Sequence, residues 1–170
     1  MAGSERERLI RSSDEELLAG CQVDRYRASG PGGQKRNKTE SAVRLRHSIG
    51  VSAHADDSRS QHQNKARALR RLRAKLAIEL REPAADADRD MLAVLVELRA
   101  GEKTRRSADY LVGIGILLDV LHSADWAIGD AARSIGVSTG ALSRFVTADA
   151  RVVRKINEAR TAAGMRPLRS

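Results

Sequence analysis

The amino-acid sequence predicts an α+β fold: a small sheet with a long packed helix, followed by an all-α helical domain with a helix-turn-helix-like unit. Apolar and charged residues alternate at 22–28 and again at 42–47, which is typical of half-exposed strands. From about 60 to 81, apolar residues instead repeat every three or four positions, and helical patterns continue after them. Residues 1–84 and 85–170 are therefore predicted to form separate domains.

The first predicted element is a short helix that begins after Ser13. Ser13 and Glu16 have the spacing of a capping box, in which each side chain accepts a hydrogen bond from the other residue's backbone N–H. Gly20 then stands where the helix is expected to end. Residues 22–28 form the first predicted strand, which leads into a glycine-rich loop.

The second predicted strand covers 42–47. In it Val43 and Leu45 alternate with Arg44 and Arg46, so that one face is apolar and the other is cationic. The chain is then predicted to turn and return as a third strand, with the turn at Gly50 and the strand at 51–55. These strands predict a small sheet with a cationic outer face.

A long helix is predicted to begin at Ser58 or Ser60 and to end near Arg81, because Pro83 cannot continue it. Its apolar face is predicted to pack on the sheet and consists of Ala66, Leu69, Leu72, Leu76 and Leu80. A basic flank runs beside that face: Lys65, Arg67, Arg70, Arg71, Arg73 and Lys75. The flank is either an ordinary solvated surface or a contact for RNA phosphates, and we favour RNA because few acids offset it.

The remainder of the chain is predicted to be helical. Each segment has apolar periodicity, and Ser138 and Gly164 stand where a helix N-cap and a helix end are expected. The predicted helices cover 90–99, 108–122, 127–135, 139–146 and 149–163.

Two of these helices, joined by Gly136-Val137-Ser138, have the spacing of a helix-turn-helix unit. Leu142 and Phe145 are predicted to pack inside it, and Ser143 and Arg144 to face outward. The same spacing occurs in plain three-helix bundles. Docking on nucleic acid and a structural or protein-binding role therefore both stay open.

The composition indicates a polyanionic partner. The net charge is +9, and residues 1–82 carry +7 of it, with 18 Lys/Arg against 11 Asp/Glu. The aromatic residues are too few for a series of base-stacking platforms, so contacts are expected mostly to phosphates. They are Tyr26, Tyr110, Trp126 and Phe145.

Metal, disulfide and membrane chemistry are not expected. Cys21 is the single cysteine, which excludes an intrachain disulfide and a cysteine metal cluster and predicts a buried structural thiol. The longest apolar run, 111–121, is interrupted by Asp119 and is too short to span a bilayer. Residues 1–11 lack the apolar core of a secretory signal, so a soluble cytoplasmic protein is expected. The four histidines have no partner at the spacing of a metal site or a catalytic triad: His47, His54, His62 and His122.

The most unusual stretch is Ser29-Gly30-Pro31-Gly32-Gly33-Gln34, followed by Lys35, Arg36 and Lys38. Three glycines allow a close backbone approach, and a neutral amide stands at the end of the run on a cationic stem. The stretch lacks both the P-loop ending and the dinucleotide-binding spacing. From composition alone, a structural turn and a phosphate-binding loop both stay open.

A longer pattern surrounds this stretch. Residues 27–34 and 37–45 together resemble the Gly-Gly-Gln segment of class I peptide chain release factors and their small ribosome-rescue relatives. Downstream, Arg59-Ser60-Gln61-His62-Gln63-Asn64-Lys65-Ala66 resembles the same family's Arg-Ser-Gln-x-x-Asn-Lys-Ala run. The resemblance covers roughly 12–82. It departs where the family usually has His-Val, since Lys35-Arg36 stand there.

The resemblance implies a site and a partner. In this family the Gly-Gly-Gln loop enters the peptidyl transferase centre, and water cleaves the ester between nascent chain and tRNA. By that analogy Gly32, Gly33 and Gln34 are catalytic, while Ser29, Gly30 and Pro31 shape the loop. The implied partners are large-subunit ribosomal RNA and peptidyl-tRNA. No cofactor is implied, but Gln34 is a candidate for N5-methylation by a glutamine methyltransferase.

The implied chemistry is positioning rather than acid–base catalysis. Glu40 is the only acid close to the loop in sequence, so no general base is predicted. Class I factors read stop codons with a separate domain placed before this segment, and only about 20 residues precede the first strand here. We therefore expect codon-independent hydrolysis of peptidyl-tRNA on stalled ribosomes.

Two other functions compete with this one. A non-catalytic ribosome- or RNA-binding factor would retain the fold and use the loop differently. A transcriptional regulator would use 127–146, although the Gly-Gly-Gln run then has no role. The residues predicted to contact RNA are Lys35, Arg36, Lys38, Arg59, Lys65, Arg67, Arg70, Arg71 and Arg144, and the partner of the helical domain is left undefined.

Overall fold

The computed structural model describes residues 4–27, 41–83, 85–98 and 107–168. The chain divides into two compact units, Met1–Glu79 and Leu80–Ser170. The boundary predicted after residue 84 lies a few residues later than this division.

The first unit contains a three-stranded antiparallel sheet in the order β1-β2-β3. Three helices accompany the sheet, and the longest packs against β2 and β3. The predicted α+β class is therefore confirmed. The elements are α1 (Glu5–Arg11), α2 (Asp14–Ala19), β1 (Cys21–Tyr26), β2 (Ala42–His47), β3 (Ser52–Ala55) and α3 (Gln61–Glu79).

The sheet has the two faces that alternation predicted. Val43 and Leu45 are buried beneath α3, whereas Arg44 and Arg46 are exposed. Gly50 has a φ of 91° in the turn between β2 and β3, a conformation that suits glycine. The alternation along the strand was sufficient to predict the two faces, because one face of the sheet is covered and the other is solvated.

Helix α3 buries a wider face than the predicted apolar set. Leu69, Leu72 and Leu76 are fully buried as predicted, but Ala66 and Leu80 are only half-buried. Three alanines that were not predicted are buried instead: Ala68, Ala74 and Ala77. The reason is that α3 contacts the sheet on one side and α1 on another, so its core face extends around the helix. The helix ends at Glu79, slightly before the predicted end at Arg81.

Helix α1 was not predicted. Its N-cap is Ser4, whose hydroxyl accepts a hydrogen bond from the Glu7 N–H at 3.2 Å. Its sequence is mostly charged, and its contact with α3 buries Ile10 and even Arg6. This helix therefore depends on tertiary contact that the local pattern does not reveal. By contrast, the predicted capping box of α2 is present, with both Ser13–Glu16 hydrogen bonds formed.

The second unit is all-helical over its described residues. Four of the five predicted helices match within a residue or two, but the first begins earlier than the predicted residue 90. It starts at Asp86 because Asp88, rather than a serine or threonine, accepts the N–H of Ala85 at 3.0 Å. The helices are α4 (Asp86–Glu97), α5 (Ala108–Ser123), α6 (Ile128–Ser134), α7 (Thr139–Thr147) and α8 (Ala150–Ala162).

Helix α5 is the centre of this unit, and every residue from Tyr110 to Leu121 is buried. One of them is Asp119, whose carboxylate lies 2.9 Å from Arg81 Nη1 and accepts the Glu82 N–H at 3.2 Å. These contacts compensate the charge within an apolar helix. No single helix among the described residues has the length and apolarity to cross a membrane, and α5 with α6 meets that test only as a pair bent by 114°.

The α6–α7 pair has the predicted local features. Gly136 has a φ of 73°, and the Ser138 hydroxyl caps α7 by accepting the Ala141 N–H at 3.1 Å. Leu142 and Phe145 are buried, as predicted. Outside this pair's core, Arg144 is exposed and Ser143 is half-buried. The role of the pair as a helix-turn-helix unit stays a prediction.

Candidate functional site

The predicted catalytic and loop-shaping residues lie outside the described residues. They belong to 28–40: Ser29, Gly30, Pro31, Gly32, Gly33 and Gln34, together with the predicted RNA contacts Lys35, Arg36 and Lys38. What the structure describes is the two strands on either side. β1 ends at Tyr26 and β2 begins at Ala42, and these two residues are paired in the antiparallel ladder. The connection between the strands therefore leaves and re-enters the sheet at the same end.

Asn64 of α3 binds Ser41, the residue at which the chain re-enters the sheet. Its Nδ2 donates to the carbonyl oxygens of Ser41 at 2.8 Å and Ser58 at 2.7 Å. Its Oδ1 accepts the Ser58 N–H at 2.9 Å. Asn64 is fully buried and Ser41 is almost so. One side chain thus joins the residue before β2, the turn after β3 and the first part of α3.

The exposed face of β1 and β2 is the second feature of this part of the unit. The Arg44 guanidinium carbon lies 5.2 Å from the centre of the Tyr26 ring, within the range of a cation–π contact. Arg46 is paired with Asp24 at 2.8 Å. The predicted cationic face is therefore present, but one of its two arginines is offset by an acid.

The start of α3 is ordered by a network of hydroxyl and amide groups. The Ser58 hydroxyl donates to Gln63 Oε1 at 2.8 Å and accepts the Ser60 N–H at 3.1 Å. Arg59 lies between these two serines and Lys65 directly follows Asn64, and both side chains are exposed. Arg59 and Lys65 therefore belong to the end of the unit that contains Ser41.

The other predicted RNA contacts on α3 differ in their surroundings. Arg71 Nη2 lies 2.9 Å from the Asp57 carboxylate, and Arg67 Nη1 lies 3.9 Å from it. Both Arg70 and Arg71 are exposed. The hydrogen bond from Arg71 lowers the pKa of Asp57 below its ordinary value. Because Asp57 offsets the charge of two arginines, the basic flank is less uniform than its sequence indicates. Arg144 belongs to the second unit, where it is exposed on α7.

Arg73 corrects the prediction for the basic flank. Its guanidinium lies 2.7 Å from Asp14 and donates to the carbonyl oxygens of Ile10 and Ser12. The side chain is 16% exposed. All its contacts are internal, so Arg73 joins α3 to the α1–α2 corner instead of facing a partner.

The metal-ligating residue types and the single cysteine have the following surroundings in the described ranges. No group of three His, Cys, Asp or Glu residues in them is arranged to hold a metal ion. The Cys21 thiol is half-buried, donates to the Leu17 carbonyl at 3.2 Å, and has its pKa raised by burial. His47 accepts the Ile49 N–H at 3.3 Å through Nδ1. These contacts are structural.

Asn64 is the residue whose position at the site was not foreseen. It stands inside the Arg-Ser-Gln-x-x-Asn-Lys-Ala run, of which only Arg59 and Lys65 were given a role, as predicted RNA contacts. An asparagine in the first turns of a helix is usually a surface residue, and the available signal was its position in that run. Its partner Ser41 is 23 positions away, so the contact exists only in the folded unit.

Comparison with known proteins agrees with the resemblance. The family model described as the RF-1 domain matches residues 17–111. Peptide chain release factor 1 of Rhodospirillum rubrum is 44% identical over 89 residues, which are 52% of this chain and 25% of that protein. Peptide chain release factor 2 of Paramagnetospirillum magneticum is 51% identical over 74 residues, or 41% of this chain and 20% of that protein.

A longer match is found with peptide chain release factor 1 of Rickettsia rickettsii, which is 35% identical over 141 residues. They are 82% of this chain and 37% of that protein. The chain thus spans between a fifth and about two fifths of the length of these three relatives. Since the RF-1 domain model covers more than half of its residues, the chain belongs to the RF-1 domain family of class I release factor-like proteins.

Proposed function

We propose that this protein acts on the ribosome as a release factor and hydrolyses peptidyl-tRNA through the segment Gly32-Gly33-Gln34. The observation that carries the proposal is the RF-1 domain match over 17–111, which includes this segment. The relatives that match it are named peptide chain release factors. The Gly-Gly-Gln run and the Arg-Ser-Gln-x-x-Asn-Lys-Ala run are the parts of the sequence that support it most specifically.

The proposed chemistry is hydrolysis by a positioned water. Gly32 and Gly33 allow the backbone geometry, the main-chain N–H of Gln34 stabilises the developing charge on the leaving 3′-oxygen, and the Gln34 side chain selects water as nucleophile. An N–H fixed where charge develops accelerates acyl transfer without a general base. N5-methylation of Gln34 by a glutamine methyltransferase is part of this proposal, and mass spectrometry of the protein from its native cells tests it.

The proposed partner is the large ribosomal subunit with its peptidyl-tRNA. Two described cations support contact with ribosomal RNA near the loop. Arg59 and Lys65 are both exposed and lie in the same end of the unit as Ser41, the first described residue after the Gly-Gly-Gln segment. Action in the cytoplasm would follow from this partner.

The finer proposal is that release does not require a stop codon and serves stalled ribosomes. The test uses purified ribosomes that carry labelled peptidyl-tRNA on three messages: truncated, with a sense codon, and with a stop codon in the A site. Equal release on truncated and stop-codon messages is expected. Release on the stop-codon message alone would contradict codon independence and leave the release-factor role.

The catalytic part is tested by two glutamine variants in the same assay. Gln34→Ala is expected to lower the release rate by on the order of 100-fold, because the side chain that positions the attacking water is removed while the main-chain N–H stays. Gln22→Ala is the matched control, since Gln22 is exposed on β1 away from the β1–β2 connection. Tight ribosome binding without any release by the parent protein would favour the non-catalytic alternative, to which the Lys35-Arg36 departure points.

A further inference from the structure

We propose that Asn64 is a positioning residue for peptide release: by anchoring Ser41 to α3, it sets the rate of the chemical step and not the affinity for the ribosome. The inference rests on the proposed function. It assigns a role to a side chain that contacts Ser41, the first described residue after the segment expected to enter the active centre. Its support comes entirely from contacts among described residues.

The contacts of Asn64 use both N–H donors of its amide and one acceptor position on its oxygen. The two Nδ2 hydrogens are directed to the carbonyl oxygens of Ser41 and Ser58, and Oδ1 receives the Ser58 N–H. Two acceptors and one donor around the amide permit one orientation of the side chain only. The main-chain N–H of Asn64 donates to the Ser60 carbonyl at 3.0 Å, which fixes the residue in the first turn of α3.

The anchor acts on the point where the chain enters β2. Ser41 directly precedes Ala42, whose ladder partner is Tyr26 at the end of β1. The Tyr26–Ala42 pairing fixes the two strands relative to each other, and the Asn64–Ser41 hydrogen bond fixes the residue before β2 to α3, which also packs on β2. Two independent constraints therefore meet within two residues of each other. Since a displacement of about 1 Å can cost an enzyme roughly 100-fold in rate, the second constraint matters to the reaction.

Asparagine is required at this position by its hydrogen-bond chemistry. An aspartate of the same size would place carboxylate oxygens against the Ser41 and Ser58 carbonyl oxygens, and both carbonyls would lose their donor in a fully buried site. A hydroxyl, as in serine, would supply one donor at most. The variants Asn64→Asp and Asn64→Ser therefore form a graded series.

The neighbouring amide provides a matched control. Gln63 is exposed, and its Oε1 only accepts a hydrogen bond from the Ser58 hydroxyl. Gln63→Glu introduces the same charge one residue away and keeps that acceptor. Leu72→Ala is a second control, because Leu72 is buried in the core of the unit and removing it lowers stability without changing these hydrogen bonds.

The experiment measures single-turnover peptide release against factor concentration, at a temperature where every variant is folded. For Asn64→Asp we expect the rate at saturation to fall by about tenfold or more while the half-saturating concentration changes by less than about threefold. The saturating release rate of Asn64→Ser should lie between those of Asn64→Asp and the parent. Gln63→Glu and Leu72→Ala should keep the parent's saturating rate.

Three results would overturn the inference. The first is a folded Asn64→Asp that releases peptide at the parent's rate. The second is a loss that appears entirely in the half-saturating concentration. The third is an equal loss in Leu72→Ala, which would assign the effect to stability alone. Where Asn64→Asp does not fold, Asn64→Ser is judged by the same criteria.

Amide exchange separates this inference from the proposed function, because it needs no ribosome. In free Asn64→Asp, exchange at the Ser58 N–H and at 41–43 is expected to be faster than in the parent and in Gln63→Glu. If the parent releases no peptide, the proposed function fails, and the anchor is judged by exchange alone. Unchanged exchange at these amides would then overturn the anchor as well.

Discussion

Arg73 and Asp14 form an ion pair of 2.7 Å between residues that are 59 positions apart in the sequence. The same guanidinium donates from Nε and Nη2 to the carbonyl oxygens of Ile10 and Ser12. One side chain thus supplies donors to the end of α1 and to the α1–α2 corner. Such multiple charge-assisted bonds are stronger than single surface pairs.

Removal of this side chain should destabilise the first unit. For Arg73→Ala we expect the free energy of unfolding to fall by about 1–3 kcal/mol, because two carbonyls and a carboxylate lose their donor. The control Arg70→Ala, at an exposed position, should change it by less than about 0.5 kcal/mol. Urea unfolding is best followed through amide signals of 4–79, since the single tryptophan, Trp126, reports on the second unit. Equal effects of both variants would contradict the role of Arg73.

The two cations beside the Asn64 network should contribute directly to ribosome binding. Neutralising Arg59 or Lys65 to Gln is expected to reduce the slope of log affinity against log salt concentration by about one for each phosphate that the side chain neutralises. Lys75→Gln is the control, because Lys75 lies near Glu79 later in α3. Binding is measured between roughly 50 and 200 mM salt. Parallel salt plots for all variants would show that Arg59 and Lys65 do not touch phosphate.

The contact between Asp57 and Arg71 is expected to make the stability of the first unit depend on pH. The Arg71 hydrogen bond lowers its folded-state pKa below the ordinary 3.8, so the stabilisation is complete above that value and is lost as the pH falls through the folded pKa. Asp57→Asn should therefore be less stable than the parent near neutral pH, by under about 1 kcal/mol because the pair is exposed. The difference should disappear in strong acid, and it should be smaller in an Arg71→Gln background, in which Arg67 still lies near Asp57. A difference that grows on acidification would contradict the assignment.

Replacing either of two glycines of the second unit by alanine should change stability in opposite directions. Gly136 has a φ of 73°, so Gly136→Ala is expected to cost about 1 kcal/mol of strain although open space surrounds it. Gly129 lies in α6, also in open space, and Gly129→Ala should stabilise by roughly 0.5 kcal/mol. Denaturant unfolding followed by Trp126 fluorescence measures both. Shifts of the same sign would contradict the backbone argument.

The elements that were predicted correctly have signals confined to a few neighbouring residues. The Ser13–Glu16 capping box, the alternation in β2 and the Ser138 cap are local, because their hydrogen bonds or faces are set within one element. The errors concern elements whose partners are distant. Helix α1 has few apolar residues and depends on α3, and the core face of α3 includes alanines because two neighbours cover it.

The same difference between local and distant signals applies to the candidate site. Gly32, Gly33 and Gln34 were predicted from their order alone. They fall within the family match over 17–111, and their catalytic role stays a prediction. The Asn64–Ser41 anchor was not recognised, because its partners are 23 positions apart and a hydrogen bond between them has no periodic signature.

The sequence by itself determined the family, the strands and helices with local caps, and the excess of positive charge in the first part of the chain. Only the tertiary structure decided which cations have acidic partners, as Arg73 has with Asp14 and the exposed Arg71 has with Asp57, and that Arg59, Lys65 and Arg70 are exposed. The physical reason is that charge is a property of a residue, whereas its compensation depends on distances that arise when remote segments pack together.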